Sequence, residues 1–444
     1  MRLQNFRSWE DTGEISLAPI TGFFGTNSSG KSSLLRFLLL LKQTSESSDQ
    51  GAQLELGGRG SLVDFGSMSD LLFDHDTKRA LGISLGWDQQ TWPLESPEGE
   101  AASRWRTALG SPLVFSATHT LTKREIRCDS MSYEIDTFKF GLVREQSKYR
   151  MVNKGYELIR PQGRPSSIAG PIKSYGFPAS TRLAFTNASF LQNFELAFEQ
   201  TLSNVFYLGP LREDPQRQYA GWRKQAGVGT RGEFFVDALL AARERNDKVK
   251  IGPKKYRALD QYVAEWLQRL GLVQEFKVDE VRPGANIYQV LVKRSKHSPW
   301  VPLTDVGFGV SQILPVLTLC FSAPMGSTLI LEQPEIHLHP KVQAGLADVF
   351  IDAMKLRKIQ IIVESHSEHF LQRLLRRVAE ETIAPDDTAL YFCEAEEERS
   401  TIRGLDVDLF GSISNWPVDF FGDPLGEAVA TARAAAQNRL RISA

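Results

Sequence analysis

A chain of 444 residues, 42% hydrophobic and 24% charged, has the composition of a globular protein long enough for two or three domains. Its formal net charge of −1 excludes a global basic field, so any contact with DNA or another polyanion has to be a local patch. Cys128, Cys320 and Cys393 are too few and too scattered for a disulfide framework, and no signal core or bilayer-length apolar run is seen, which predicts a cytoplasmic protein with no membrane contact.

From the N-terminus, residues 2–24 predict a strand, a turn at Thr12-Gly13 and a second strand, with Phe6 and Trp9 packed on the sheet. The second strand runs into Gly25-Thr26-Asn27-Ser28-Ser29-Gly30-Lys31-Ser32, which fits G-x-x-x-x-G-K-[ST]; residues 33–41 follow as a mostly buried helix. Strand, glycine loop and helix together make the pattern a phosphate site. Glycines let successive N–H groups curl toward phosphate oxygens, and the helix N-terminus adds its positive dipole end. Asn27, Ser28, Ser29, Gly30 and Ser33 are therefore candidate nucleotide contacts. Lys31 supplies a charge for the β- and γ-phosphates, and Ser32 a hydroxyl for Mg2+.

Residues 43–51 read as a polar loop, and His75 with its neighbouring acids as facing solvent. Period-two alternation over 80–87, 113–121, 132–140 and 149–159 predicts antiparallel strands with one solvated face, and 93–104 and 161–171 read as exposed loops. Residues 180–204 carry Phe190, Leu191, Phe194, Phe198 and Leu202 at helical spacing. Across 212–257 bases outnumber acids: Arg217, Arg223, Lys224, Arg231, Lys248, Lys250, Lys254 and Lys255 are among them, with Tyr219 and Trp222 interleaved. A polyanion surface and a solvated helical face both stay open there. Tyr256 opens an amphipathic helix stopped by Gly271, and 278–281 pairs with 287–292 across Pro283-Gly284.

A second set of motifs follows. Gly307-Phe308-Gly309-Val310-Ser311-Gln312 caps an apolar helix, a second anion-binding shape that makes Gly309, Ser311 and Gln312 candidates. Residues 328–332 read as a buried strand ending in Glu332, followed by Gln333-Pro334-Glu335; an acid at a strand end beside a phosphate loop is suited to Mg2+, so Ser32 and Glu332 are the metal candidates. Residues 359–366 read as another buried strand that ends in His366, a candidate γ-phosphate contact. His337, His339, His366 and His369 lie close in sequence, but no acids or thiols stand around them at zinc spacing.

These residues resemble an ABC-type ATPase head of the branch that includes the SMC and RecF-like repair ATPases, the overcoming-lysogenisation-defect family and many stand-alone prokaryotic AAA-type ATPases. The resemblance rests on Walker A at 25–32, a divergent signature at 307–312, Walker B at 329–332, the switch histidine His366 and the run Glu332-Gln333-Pro334-Glu335-Ile336-His337-Leu338-His339-Pro340. The ending 413–421 is similar to an uncharacterised C-terminal domain. An α/β fold is implied: an ABC-type head with a mixed sheet, an antiparallel β lobe and an inserted helical region. The expected division is 1–80 with Walker A, 81–205 as the β lobe and following helix, 206–300 as the insertion, 301–390 as the second half of the head and 391–444 as the C-terminal domain. The resemblance further implies ATP and Mg2+ as cofactors. It also implies a nucleotide shared between two heads, hence a homodimer or higher homo-oligomer.

Where such heads carry Asp-Glu, this chain has Glu332-Gln333. An amide at the general-base position takes no proton at neutral pH, so hydrolysis is expected to be slow unless Glu335 substitutes. Glu332, Gln333, Glu335 and His366 form the candidate catalytic set. No long heptad run separates the halves, and Asp406-Val407-Asp408 read as surface turn residues rather than a nuclease metal pair. The expected function is an ATP-binding, slowly hydrolysing sensor or scaffold of prokaryotic antiphage defence that controls a separate nuclease- or toxin-like effector. The alternatives are a RecF-like repair ATPase acting directly on DNA and a catalytically weak nucleotide-dependent scaffold.

Overall fold

Strands Ile20–Gly25, Thr328–Glu332 and Gln360–Glu364 are almost continuously apolar because both faces of their sheet are covered. In this computed structural model, which describes residues 1–88, 101–122, 125–163, 167–221, 227–396 and 399–417, with 101–103 as backbone, they lie in a six-stranded sheet. Its order is Arg399–Leu405, Thr388–Glu396, Ile20–Gly25, Gln360–Glu364, Thr328–Glu332, Val205–Leu208. All neighbours are parallel except the antiparallel pair at the 399–405 edge.

Alternation along these strands divides the core in two. Ile20, Phe24, Leu329, Leu331, Ile361 and Val363 join helices Phe308–Ser322, Pro340–Arg357 and Glu368–Ala379 on one face. Phe23, Ile330 and Ile362 face the other way, onto Lys31–Glu46 and Gln192–Ser203. That second core continues into a seven-stranded antiparallel sheet ordered Trp9–Asp11, Arg2–Phe6, Leu81–Trp87, Leu113–Leu121, Ile126–Ile135, Phe138–Glu145, Lys148–Lys154. Its inner face carries Phe115, Tyr133 and Phe140, packed on Phe194 or Phe198. The α/β head and antiparallel lobe implied by the motifs are therefore present and share a core.

Several local expectations change. The first turn is at Arg7-Ser8, where Arg7 has φ 53, because Phe6 pairs with Trp9; Thr12-Gly13 only ends the second strand. The first helix continues to Glu46, its Gln43 amide held by Glu55 and Val63. Ala101–Ala108 is helical, not loop, since the fully buried Trp105 anchors it against Phe138 and Phe194. Run 132–140 crosses a hairpin turn at Asp136, run 149–159 leaves its strand after Lys154, and 180–204 is broken between Ala184 and Gln192. Tyr256 sits in a strand, Lys255–Ala258, and the helix starts at Leu259. Trp222, Arg223, Lys224, Phe420 and Phe421 lie outside the described residues.

Candidate nucleotide site

Parallel α/β sheets bind ligands at their carboxyl edge, and Ile20–Gly25 delivers the glycine loop there. Gly25 has φ 130, and a Cβ on it would stand 1.9 Å from the Cys393 carbonyl oxygen of the next strand. Gly30, φ 81, is the left-handed cap of helix Lys31–Glu46. The Trp9 indole N–H fixes this corner by donating to Ser33 Oγ (3.1 Å) and the Gly30 carbonyl (3.3 Å). Asn27 and Ser28 are exposed at the loop's outer turn, while Ser29 is buried and donates to the Thr26 carbonyl.

Lys31 is 3% exposed. Its ammonium donates to the carbonyls of Gly25 (3.2 Å) and Thr26 (2.6 Å) and to Ser29 Oγ (3.2 Å). Burial pushes its pKa down, opposed by the charge of Glu364. A phosphate entering the loop would exchange for these neutral contacts and gain a charge-assisted bond.

Two buried carboxylates stand side by side, since Glu332 and Glu364 are register partners on adjacent parallel strands. Ser32 Oγ donates to Glu364 Oε2 at 2.7 Å. Glu332 is held instead by Arg36, whose Nε and Nη2 donate to its two oxygens at 3.0 and 2.9 Å, and by the Tyr207 hydroxyl at 3.0 Å. The sequence placed Glu332 beside Ser32; the geometry brings Glu364 there, because strand Gln360–Glu364 lies next to the loop strand and the Glu332 strand one position further. Arg36, one helical turn past Ser32, reaches the farther acid. Burial raises the Glu364 pKa against the bond from Ser32, and Glu332 raises that of Arg36. Hydroxyl and carboxylate oxygens suit Mg2+, which takes one or two carboxylates beside substrate phosphates, so these residues fit a magnesium nucleotide.

Past the strand end, Gln333 adopts φ 44, uncommon for a side-chain-bearing residue, and its N–H donates to the Glu364 carbonyl at 2.9 Å. Glu335 Oε1 accepts the His366 backbone N–H at 2.6 Å, while its buried Oε2 accepts no hydrogen bond among the described residues. Burial raises the Glu335 pKa. The His366 side chain stands at the mouth of the loop, and desolvation, then the Lys31 charge, lower its pKa. Walker A, both carboxylates, Glu335 and the histidine thus share one edge of the sheet.

Signature residues are placed differently from expectation. Ser311 is 5% exposed and its hydroxyl donates to the Phe308 carbonyl in its own helix; Gln312 is 3% exposed. Their burial against the core helix keeps them from a partner surface. Gly307 and Phe308 are the exposed part, with Gly309 against the His337 carbonyl and Leu338. Arg36, Tyr207 and Glu364 were missed by sequence reasoning. So was Arg212, which is 6% exposed, with Nε and Nη1 lacking a hydrogen-bond partner among the described residues and its pKa lowered to about 10 by burial, against Tyr207 and Glu335. Spacing from Ser32 could have flagged Arg36; nothing local marks Arg212 as internal.

The family described as "AAA domain, putative AbiEii toxin, Type IV TA system" matches residues 71–372. A family of AAA ATPase domains matches 1–84, and a family of proteins of unknown function, DUF3696, matches 383–430. No curated protein matches the chain. Among solved structures, an SmcHead bound to the C-winged helix domain of ScpA is 11% identical with a TM-score of 0.45, over 92% of this chain and 97% of that one. The SMC head domain from Thermotoga maritima is 11% identical with a TM-score of 0.37, over 91% and 98%.

Proposed function

This chain belongs to the AAA-domain family matched over residues 71–372, and from that premise we propose that it is an ABC-type ATPase acting as a slow, dimerising nucleotide switch of prokaryotic antiphage defence that controls a separate effector. The observation that carries the nucleotide reading is that Ser32, next to the buried Lys31 of the glycine loop, donates to Glu364, which is paired in register with a second buried carboxylate, Glu332. Lys31 neutralises the β/γ-phosphates, and the loop N–H groups orient them. The Ser32 hydroxyl and the neighbouring carboxylates would hold a magnesium ion, which would supply further positive charge to the phosphates. Water attacks the γ-phosphorus as the bond to the β–γ bridging oxygen breaks, giving ADP and inorganic phosphate; Gln333 orients the water without accepting its proton, and Glu335 Oε2 takes that proton.

With Gln333 at the usual base position, turnover falls below the enzyme median of about 10 per second. ATPase assays test the roles: Gln333→Glu raises the rate if a base is missing, and Glu335→Gln lowers it if that residue has the role. If neither changes turnover while His366→Ala does, the acid assignments are wrong.

Control of an effector is supported by an apolar patch: Leu409, Phe410 and Trp416 are 73%, 80% and 40% exposed. The partner is a nuclease- or toxin-like protein held or released with nucleotide state. Co-purification of the neighbouring gene product with wild type, Lys31→Ala and Glu332→Gln tests this; no capture in any nucleotide state removes the effector reading.

A second reading, direct action on DNA, is favoured by the hairpin Lys248–Gly252 and Lys255–Ala258, where Lys248, Lys250, Lys254, Lys255 and Tyr256 are exposed together. Salt-dependent DNA binding that Lys250→Glu and Lys255→Glu together abolish would favour it.

A further inference from the structure

We infer that Glu364, rather than the Walker B acid Glu332, is the carboxylate that shares the nucleotide's divalent cation with Ser32, and that Glu332 serves as the anchor of Arg36. The inference rests on the magnesium-nucleotide reading above and assigns the ligand within it.

The first ground is distance. Ligand oxygens of an octahedral Mg2+ lie 2.0–2.1 Å from the metal, so adjacent ones are about 3 Å apart. Ser32 Oγ and Glu364 Oε2 stand 2.7 Å apart and need little movement to become neighbouring ligands. Competition for lone pairs is the second ground. Among the described residues, Ser32 is the sole hydrogen-bond donor to the Glu364 carboxylate, and it is the group expected beside it on the metal. Glu332 accepts three bonds, two in a bidentate fork from Arg36. Turning it to a metal breaks a strong charge-assisted pair and leaves a cation beside the incoming one.

Strand order is the third ground. Glu364 pairs in register with Phe23 of the loop strand, two residues before Gly25, whereas Glu332 is one strand more distant.

Manganese binding to the full chain, with a non-hydrolysable ATP analogue, tests this by the free Mn2+ signal in electron paramagnetic resonance. Glu364→Gln is expected to weaken Mn2+ by at least about tenfold and Glu332→Gln by less than about threefold, taking the loss on removing a metal-site group as the scale. Fluorescent-nucleotide binding in EDTA is retained in both, since no carboxylate then serves as a metal ligand, and shows that each variant keeps a folded loop. Glu364→Asp and Glu332→Asp, which keep the charge and shorten the reach, give the same ranking if either amide variant fails to fold. A reversed ranking, or equal losses, overturns the inference. Absence of nucleotide-dependent Mn2+ uptake by the wild type overturns the underlying magnesium-nucleotide reading instead.

Discussion

Among the described residues, Arg36 is the one cation in an ion pair with Glu332, whose side chain is 3% exposed, and Arg36→Ala removes it. The carboxylate keeps only the Tyr207 bond of the three it accepts. Breaking a buried pair from one side costs about 3–5 kcal/mol because a charge is left unpaired in low dielectric. Arg36 itself is 43% exposed, so solvent screens the pair and water enters the space it leaves; a loss of about 2 kcal/mol is the better figure. Glu332→Gln in the same background removes the stranded charge at nearly constant shape and should restore most of that loss. Thermal melting of wild type, Arg36→Ala and Arg36→Ala/Glu332→Gln, without nucleotide at neutral pH, reads the ranking directly. Equal melting of wild type and Arg36→Ala refutes the pairing, and a double variant no more stable than Arg36→Ala refutes the stranded-charge argument.

Lys31→Ala should lose about 2–3 kcal/mol of nucleotide affinity, the worth of a charge-assisted contact, in a titration with a fluorescent ATP analogue; unchanged affinity sinks the phosphate-loop assignment. Gly25→Ala puts a methyl group where the Cys393 carbonyl oxygen stands, so nucleotide binding and melting temperature should fall together. His119 is fully buried, with Nε2 on Ser174 Oγ at 2.7 Å, and burial lowers its pKa from 6.5 to about 4. Its folded pKa lies below the unfolded one. The stability held by the neutral ring is therefore complete above pH 6.5 and drains as pH falls toward about 4. Melting temperature across that window should drop less steeply in His119→Gln than in wild type.

What could be read from the sequence follows a physical line. The strand, glycine loop and helix around Gly25 to Ser32 were legible because the whole pattern lies in one short contiguous stretch. The apolar strands were legible because burial on both faces leaves an unbroken run. Partnerships across the sheet were not. Whether Ser32 meets Glu332 or Glu364 is decided by strand order, which no local pattern encodes. Ser311 looked available because a Gly/Ser turn caps its helix, yet packing buries it and its hydroxyl turns back to Phe308. Trp105 sits at the end of a polar, Pro- and Gly-containing stretch, so its helix was hidden, and Arg212 was counted among surface bases although it is internal. In each case the missing information was tertiary.

ATP turnover by an equimolar mixture of Lys31→Ala and Gly307→Arg tests the shared-site ATPase most directly. Gly307 has open space around its Cβ position, so arginine there fits a single chain and obstructs only a partner. Each variant alone should be nearly inactive. In a two-fold dimer, random mixing makes half the dimers mixed, each with one intact composite site, so the mixture should recover about a quarter of wild-type turnover. No recovery, with both variants folded and the Gly307→Arg chain still binding ATP, would contradict a site built from two heads.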